Sequence, residues 1–473
     1  MMFKNRRKRN YNSYYNTRKK SNNFLLLWII LGIPLGIILL EILSSFFLYF
    51  TNNEVSPAES QGKPSLVKAY KLKYLTQDKK PVQGLASQGD LLVESNLGVG
   101  YQLVGGQKNQ FFQINDQGFR DKDPVPLAKA KDEIRIFILG NSTAFGQGSP
   151  NNEGVISHQL ETLLNQRVSQ QQKNLTKYRP DIFPFFKPDR VELLTLPAKI
   201  RQGKYRVINA AVPGYISGNE LAQFALEILP YQPDVIIVLG GYMDLVSSSE
   251  KQTSGIPKQD YFLHDAQGHF TSYLNQSFSQ WLQERALYKT IAHFFWQQKV
   301  AETTLLSTPE NKSLDKYLPD NKEELQKRIK RYESNYQQMG KLASSMGIPL
   351  VLAIQPEITG IPVNKLAAEE QKIRNDLGKK YLENMPKAYS SLIQSAQQLE
   401  KKFPTKVRVL NFYNWNENIK QPIFNDAIHL TEQGNKAIAS QMYNALTSLE
   451  KIQIIPENFY LKEQSNGKEK KTN

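Results

Sequence analysis

The chain has 473 residues, a formal net charge of +16 and no cysteine. The missing cysteines exclude disulfide bonds and thiolate metal sites, and the five histidines lack the close spacing of a zinc-binding helix. The charge suggests a nucleic-acid partner, but eight basic residues and no acidic one lie within residues 1–23. The rest of the chain shows no basic stripe interleaved with aromatic residues, so we exclude nucleic acid as a partner.

Residues 24–50 form an apolar stretch of 27 residues in which Glu41 is the only charged one. About 20 apolar residues are enough for a helix to cross a bilayer. The stretch is too long for a cleaved signal peptide and lacks an Ala-x-Ala-like site. Basic residues precede it and the next lysine is Lys63, which places the N-terminus in the cytoplasm. We therefore predict a transmembrane signal anchor whose partner is the lipid bilayer.

This anchor makes residues 1–23 a basic cytoplasmic segment of a single-pass protein of the cytoplasmic membrane. The main domain is then expected on the extracytoplasmic (periplasmic) side. Residues 51–125 combine a polar linker with short apolar runs separated by glycines, which predicts a small β-rich segment.

Residues 126–450 alternate short apolar runs, rich in β-branched residues, with longer helical patterns. Strands separated by helices indicate a parallel sheet covered on both faces. We predict an α/β fold, a three-layer α/β/α sandwich with a central parallel sheet. The predicted strands are 134–139, 206–212, 234–239, 349–354 and 406–412, and the predicted helices are 152–165, 219–229, 322–345, 364–402 and 431–449.

Two stretches interrupt the alternation, at about 166–204 and 246–321. The first is rich in Gln, Pro and Lys, and the second in aromatic residues. Insertions of this length at strand ends form lids or partner surfaces, or are passive, and the sequence leaves both interpretations open. Residues 451–473 are predicted to form a charged C-terminal tail.

The first predicted strand ends in Gly140-Asn-Ser142. The carboxyl end of a strand in an open α/β sheet is where ligands bind, so Ser142 is a candidate nucleophile. A serine here also commonly caps the helix that follows, and the motif alone does not separate the two roles.

A serine nucleophile needs a base, and the base needs an orienting group. Asp426 and His429 lie three residues apart, after the last predicted strand and before the last predicted helix. On one tight turn the carboxylate can reach the imidazole and fix its tautomer. Because the turn follows a strand's carboxyl end, we expect it at the same sheet edge as Ser142.

Acyl transfer also needs hydrogen-bond donors for the oxyanion. The backbone N–H of Ser142 is one candidate. Gly214 follows the second predicted strand, and a glycine lets the backbone approach a ligand closely, so its N–H is another candidate.

These motifs together resemble the SGNH (GDSL-type) hydrolase superfamily. The resemblance implies a flavodoxin-like fold, Ser142 as nucleophile, His429 as base and Asp426 as its orienting group. It also implies an oxyanion hole made by the Ser142 and Gly214 amides, with no cofactor and no metal. The matching blocks, in chain order, are Gly118–Arg120, Gly140–Gly146, Asn209–Gly214, Gly241–Asp244 and Asp426–His429.

One position departs from the family pattern. Members usually place an asparagine in the oxyanion hole, where this chain has Met243. A methionine side chain has no N–H to donate. The methionine at this position leaves three interpretations open: weak activity, a substitute donor such as Asn141, or a protein that binds its ligand without catalysis.

The resemblance and the predicted anchor imply a membrane-anchored serine esterase or deacylase that acts on O-acyl, mainly acetyl, esters of envelope glycans. The expected partner of the site is thus an ester-bearing small molecule or glycan. Two alternatives remain: a polysaccharide O-acetyltransferase with the same triad, and a non-catalytic glycan-binding or assembly protein, which Met243 favours.

Overall fold

The computed structural model describes residues 35–36, 38–43, 64–75, 79, 89–252, 314–414 and 421–456, except 183 and 185. Segment 1–23, most of the predicted anchor at 24–50, most of the 246–321 insertion and the end of the C-terminal tail lie outside this part. Within it, no helix has the length and apolarity needed to cross a membrane.

A five-stranded parallel sheet forms the centre of the main unit, which is the predicted domain of residues 126–450, with the order β5-β4-β6-β7-β8. β4 and β6 are buried at every position because their side chains meet helices on both faces. The prediction of a parallel α/β sheet is confirmed. The strands are β4 (Glu133–Gly140), β5 (Lys204–Asn209), β6 (Val235–Gly240), β7 (Leu350–Ile354) and β8 (Val407–Asn411).

Helices cover the sheet in two groups, as in a doubly wound fold. On one side α3 packs against α10, and on the other α7 packs against α5 and α9. The helices of the described residues are α1 (Pro64–Tyr70), α2 (Ser142–Phe145), α3 (Ile156–Lys173), α4 (Lys187–Leu194), α5 (Ser217–Gln223), α6 (Tyr242–Val246), α7 (Lys322–Ser345), α8 (Ala368–Asp376), α9 (Lys379–Lys402) and α10 (Glu432–Thr447).

Several predicted boundaries are wrong, for local reasons. The predicted helix 364–402 is two helices, because Gly378 adopts a φ of +80° between α8 and α9. The predicted helix 152–165 begins later and runs into the predicted 166–204 insertion as α3. The predicted strand 206–212 ends at Asn209, whose side-chain oxygen accepts a hydrogen bond from the Ala211 amide and so starts a turn.

The β-rich segment forms a separate three-stranded sheet from β1 (Leu72–Leu75), β2 (Leu91–Asn96) and β3 (Gly100–Leu103). Arg120, 3% exposed, joins this segment to the end of α2. Its guanidinium donates to the Tyr70 hydroxyl at 2.8 Å and to the carbonyls of Phe145 and Gly146 at 2.9 Å each. The Gly-Phe-Arg motif thus has a structural role here, holding the turn that follows the predicted nucleophile.

The start of the predicted tail is packed rather than free. The Ile452 carbonyl accepts a hydrogen bond from the Arg201 amide at 2.8 Å, and the Ile454 amide donates to Lys199 at 2.9 Å. The Ile452 side chain is fully buried. Residues 457–473 lie outside the described residues.

Candidate active site

Ser142 lies at the point where the strand order of the sheet reverses, beyond the carboxyl end of β4. Gly140 makes the sharp turn out of the strand with a φ of +143°, and a Cβ there would lie 2.2 Å from the Leu239 carbonyl oxygen. Asn141 then caps α2 by accepting from the Thr143 amide. The capping role therefore belongs to Asn141, which leaves the Ser142 hydroxyl free for another partner.

That partner is His429. Its Nε2 lies 2.8 Å from Ser142 Oγ, and its Nδ1 lies 2.6 Å from an Asp426 carboxylate oxygen. The structure thus brings together the three residues that the sequence singled out, in the relative placement of nucleophile, base and orienting group. Ser142 has no exposed surface and His429 is 5% exposed, so water screens these hydrogen bonds little.

Asp426 is held by its own turn. One carboxylate oxygen accepts from the amides of Ile428 and His429 at 2.9 and 2.8 Å, and the other faces the imidazole. Burial acts to raise the pKa of Asp426, but the His429 charge and these hydrogen bonds outweigh it and hold that pKa below the usual range. The carboxylate is therefore ionised at neutral pH and fixes Nδ1 as the protonated ring nitrogen.

The two predicted oxyanion donors lie beyond neighbouring strands, Ser142 after β4 and Gly214 after β5. Gly214 has a φ of +90°, a conformation that favours glycine. Among the described residues, neither amide donates a hydrogen bond to another protein group. Both N–H groups thus remain available to a developing negative charge.

In the Gly241–Asp244 block, Asp244 and Met243 have different surroundings. Asp244 accepts from the Ser217 hydroxyl at 2.6 Å and its amide at 3.0 Å, and lies 3.4 Å from the Arg331 guanidinium. It therefore fixes the start of α5, just beyond Gly214. Met243, 6% exposed, supplies no side-chain donor, and Asn141 already donates its amide to Gln355 at 2.7 Å.

The sequence did not single out a buried acid, Glu357, beside the turn that carries Asp426 and His429. Glu357 is fully buried and accepts hydrogen bonds from Thr359 and from the Tyr381 hydroxyl, the latter at 3.2 Å. The next amide, that of Ile358, donates to the Ala427 carbonyl at 3.0 Å. The position of Glu357, three residues after the end of β7, is the sequence signal that could have identified this acid.

Within the described ranges, no group of three or more His, Cys, Asp or Glu side chains is placed to hold a metal ion. The residues gathered at the sheet edge are Ser142, His429 and Asp426, which two hydrogen bonds join.

No protein-family model and no curated protein matches the chain. Among solved structures, it is similar to a lipase/acylhydrolase from Enterococcus faecalis, with 10% identity, a TM-score of 0.33, and coverage of 66% of this chain and 95% of the other. A putative GDSL-like lipase from Parabacteroides merdae has 13% identity, a TM-score of 0.32, and coverage of 68% and 100%. The esterase EstA from Pseudoalteromonas has 13% identity, a TM-score of 0.28, and coverage of 66% and 94%.

A hydrogen-bonded Ser-His-Asp arrangement at the carboxyl edge of a doubly wound sheet is typical of serine hydrolases. The structure places the motifs that resemble the SGNH hydrolase superfamily at or just beyond the ends of strands, in the order in which they occur along the chain.

The buried acid gives a prediction for stability against pH. Burial raises the pKa of Glu357 from 4.5 to about 7, although the bonds from Thr359 and Tyr381 act in the opposite direction. The folded state therefore holds this proton more tightly than the unfolded chain, so the contribution is complete below pH 4.5 and is lost as pH rises through about 7. Relative to Glu357→Gln, the wild type should lose about 3 kcal/mol of unfolding free energy over that range. Urea unfolding followed by circular dichroism at several pH values measures this, and a difference that stays constant with pH would contradict it.

Proposed function

We propose that the protein is a serine hydrolase that cleaves ester bonds through Ser142, His429 and Asp426. The observation that carries the proposal is the continuous pair of hydrogen bonds from Ser142 Oγ to His429, at 2.8 Å, and from His429 to Asp426, at 2.6 Å. These lie within the range in which a base can take a proton from its nucleophile.

In the proposed mechanism, Ser142 Oγ attacks the ester carbonyl carbon while His429 Nε2 takes the hydroxyl proton. Asp426 stabilises the imidazolium, and the amides of Ser142 and Gly214 donate to the oxyanion. The tetrahedral intermediate expels the alcohol, which receives the proton from Nε2. Water then attacks the acyl-serine with His429 again as base, and this second cycle releases the acid and restores Ser142.

We further propose acetyl esters of envelope glycans as the substrate class. Two expectations support it: the resemblance implies action on O-acetyl sugars, and the predicted anchor places the site on the envelope side of the membrane. A sugar hydroxyl that replaced water in the second step would make the same triad an acetyltransferase.

Ser142→Ala tests the reaction. The full chain in mild detergent should hydrolyse a fluorogenic acetate and release acetate from an acetylated glycan, and Ser142→Ala should lower both rates by about 10⁴-fold or more. Ser390→Ala, an exposed serine on α9, is the matched control and should keep the wild-type rate. A wild type that shows no serine-dependent turnover of any short-chain ester rejects the hydrolase, and transfer to the glycan without free acetate reassigns it as an acetyltransferase.

Met243 gives a second prediction, because one oxyanion donor is worth about 10²–10³ in kcat in a well-studied protease. Met243→Asn should raise kcat about tenfold or more by adding a side-chain N–H, whereas Met243→Leu, which adds no donor, should not raise it. The comparison requires kcat for all three proteins on one ester. An asparagine variant no faster than the leucine variant would show that position 243 lies outside the oxyanion hole.

We propose that residues 24–50 anchor the protein in the cytoplasmic membrane with the main unit outside. The described residues of this stretch are helical and expose large apolar side chains, with Leu35 at 71%, Ile38 at 57% and Leu43 at 58%, a property typical of surfaces that contact lipid or protein.

Membrane fractionation tests the anchor. The full chain should stay in the membrane pellet after alkaline carbonate extraction, because a spanning helix is not released by loss of surface charge. Protease added outside intact spheroplasts should digest the main unit and spare a tag at residue 1. Release of the chain into the carbonate supernatant, or protection of the main unit from protease, would contradict the proposal.

A further inference from the structure

The nucleophile and the base lie on turns that are 287 positions apart in the chain. Asp426 orients the imidazole, but it belongs to the same turn and does not set the distance from that turn to Ser142. A displacement of about 1 Å between reacting groups can cost about 100-fold in rate. A further contact between the two turns is therefore needed to maintain the separation.

Gln355 lies between these turns. It follows β7, which together with β6 separates β4 from β8 in the sheet. Its backbone amide donates to the Gly240 carbonyl at 3.0 Å and so extends the pairing of β6 with β7 by one bond. The residue is fully buried, and its backbone is thereby fixed to the sheet.

The Gln355 side chain closes a ring of hydrogen bonds with Asn141 and Thr143. Asn141 donates to Gln355 Oε1 at 2.7 Å, Gln355 Nε2 donates to Thr143 Oγ1 at 3.1 Å, and the Thr143 amide donates to Asn141 Oδ1 at 3.1 Å. Asn141 and Thr143 are also buried, and they flank Ser142 on both sides. The ring thus holds the nucleophile turn against the end of β7.

Thr143 connects the ring to the base. Its hydroxyl donates to the carbonyl of Ile428, the residue before His429, at 3.2 Å. A hydroxyl has a single hydrogen, and that of Thr143 is donated to the Ile428 carbonyl. Thr143 Oγ1 is therefore the acceptor in its bond with the Gln355 N–H. Successive hydrogen bonds in a dry interior polarise and strengthen one another.

We propose that Gln355 is a positioning residue of the active site. Through Thr143 it sets the separation between Ser142 Oγ and His429 Nε2, without itself contacting the substrate. The inference rests on the proposed function, and it adds to the Ser-His-Asp triad a buried amide just beyond the end of a third strand.

Gln355→Met, which keeps the approximate volume and removes both polar atoms, tests the proposal in the full chain. We expect kcat on a fluorogenic acetate to fall about 10–100-fold with KM unchanged within about twofold, because geometry rather than binding is altered. The matched control is Gln171→Met on α3. Gln171 is also buried, donating to the Ile200 carbonyl at 2.6 Å and accepting from the Ile200 amide at 2.9 Å, and its loss should leave kcat unchanged.

Thr143 variants provide the second arm of the test. Thr143→Val removes the hydroxyl and should match Gln355→Met, whereas Thr143→Ser retains it and should keep most of the activity. The double variant of Gln355→Met with Thr143→Val should be no slower than the slower single variant, because both changes break the same connection. Where Gln355→Met fails to fold, Thr143→Val against Thr143→Ser carries the test, and equal kcat for these two overturns the proposal.

Nitrogen-15 NMR of histidine-labelled protein gives a readout that does not depend on turnover. The Nε2 resonance of His429, assigned by comparison with His429→Gln, should shift in Gln355→Met and stay in place in Gln171→Met, because only the first change alters the bond from Ser142. A shift in Gln355→Met when the wild type lacks esterase activity rejects the proposed function and supports the positioning role. If the wild type is active and Gln355→Met changes neither kcat nor the resonance, the positioning role is overturned and the proposed function stands. In an active wild type, a change in only one of these two quantities also overturns the positioning role.

Discussion

The hydrogen bond between Ser142 and His429 is the contact on which the site depends, and the parallel sheet makes it possible. The carboxyl ends of β4 and β8 lie at one edge because every strand between them runs in the same direction. Residues 287 positions apart thereby come within 2.8 Å of each other. The close approach of Gly140 to Leu239 shows how little space the turn out of β4 leaves. An apolar, fully buried sheet therefore determines the geometry of a polar site.

The region behind that edge is polar for a protein core. Arg120, Asp244, Arg331 and Glu357 are all buried, and each is held by specific partners. Burying such groups costs free energy that hydrogen bonds only partly return. The partners of Arg120 and Asp244 lie close to Ser142 and Gly214, at the residues just after α2 and at the start of α5. The amide that follows Glu357 donates to Ala427 in the turn that carries Asp426 and His429. Burial of these groups thus lowers the folding free energy gained at positions where their hydrogen bonds fix neighbouring chain segments.

The sheet was predictable from the sequence because its strands are short apolar runs ended by glycine or by a turn, as in Ile134–Gly140. The pairing of Ser142 with His429 was predicted from the rule that the carboxyl ends of parallel strands lie at one edge of a sheet. The break at Gly378 was missed because the apolar pattern continues across it. The contacts of Gln355, Arg120 and Glu357 were not predicted because their partners are carbonyls, amides and hydroxyls, which do not show in residue spacing.

The ring of Asn141, Gln355 and Thr143 has a direction, since every donor in it has one acceptor. The asparagine stands where the SGNH superfamily, which the motifs resemble, usually has aspartate, and a carboxylate has no hydrogen to give to Gln355 Oε1. Asn141→Asp would bring two acceptors together unless the Gln355 amide turned over, and that rotation would take from Thr143 the N–H it now receives. Positions 141 and 355, which are 214 apart in the chain, are therefore chemically matched. Engineering the common Gly-Asp-Ser motif into this protein therefore requires a residue at position 355 that donates hydrogen bonds to both position 141 and Thr143.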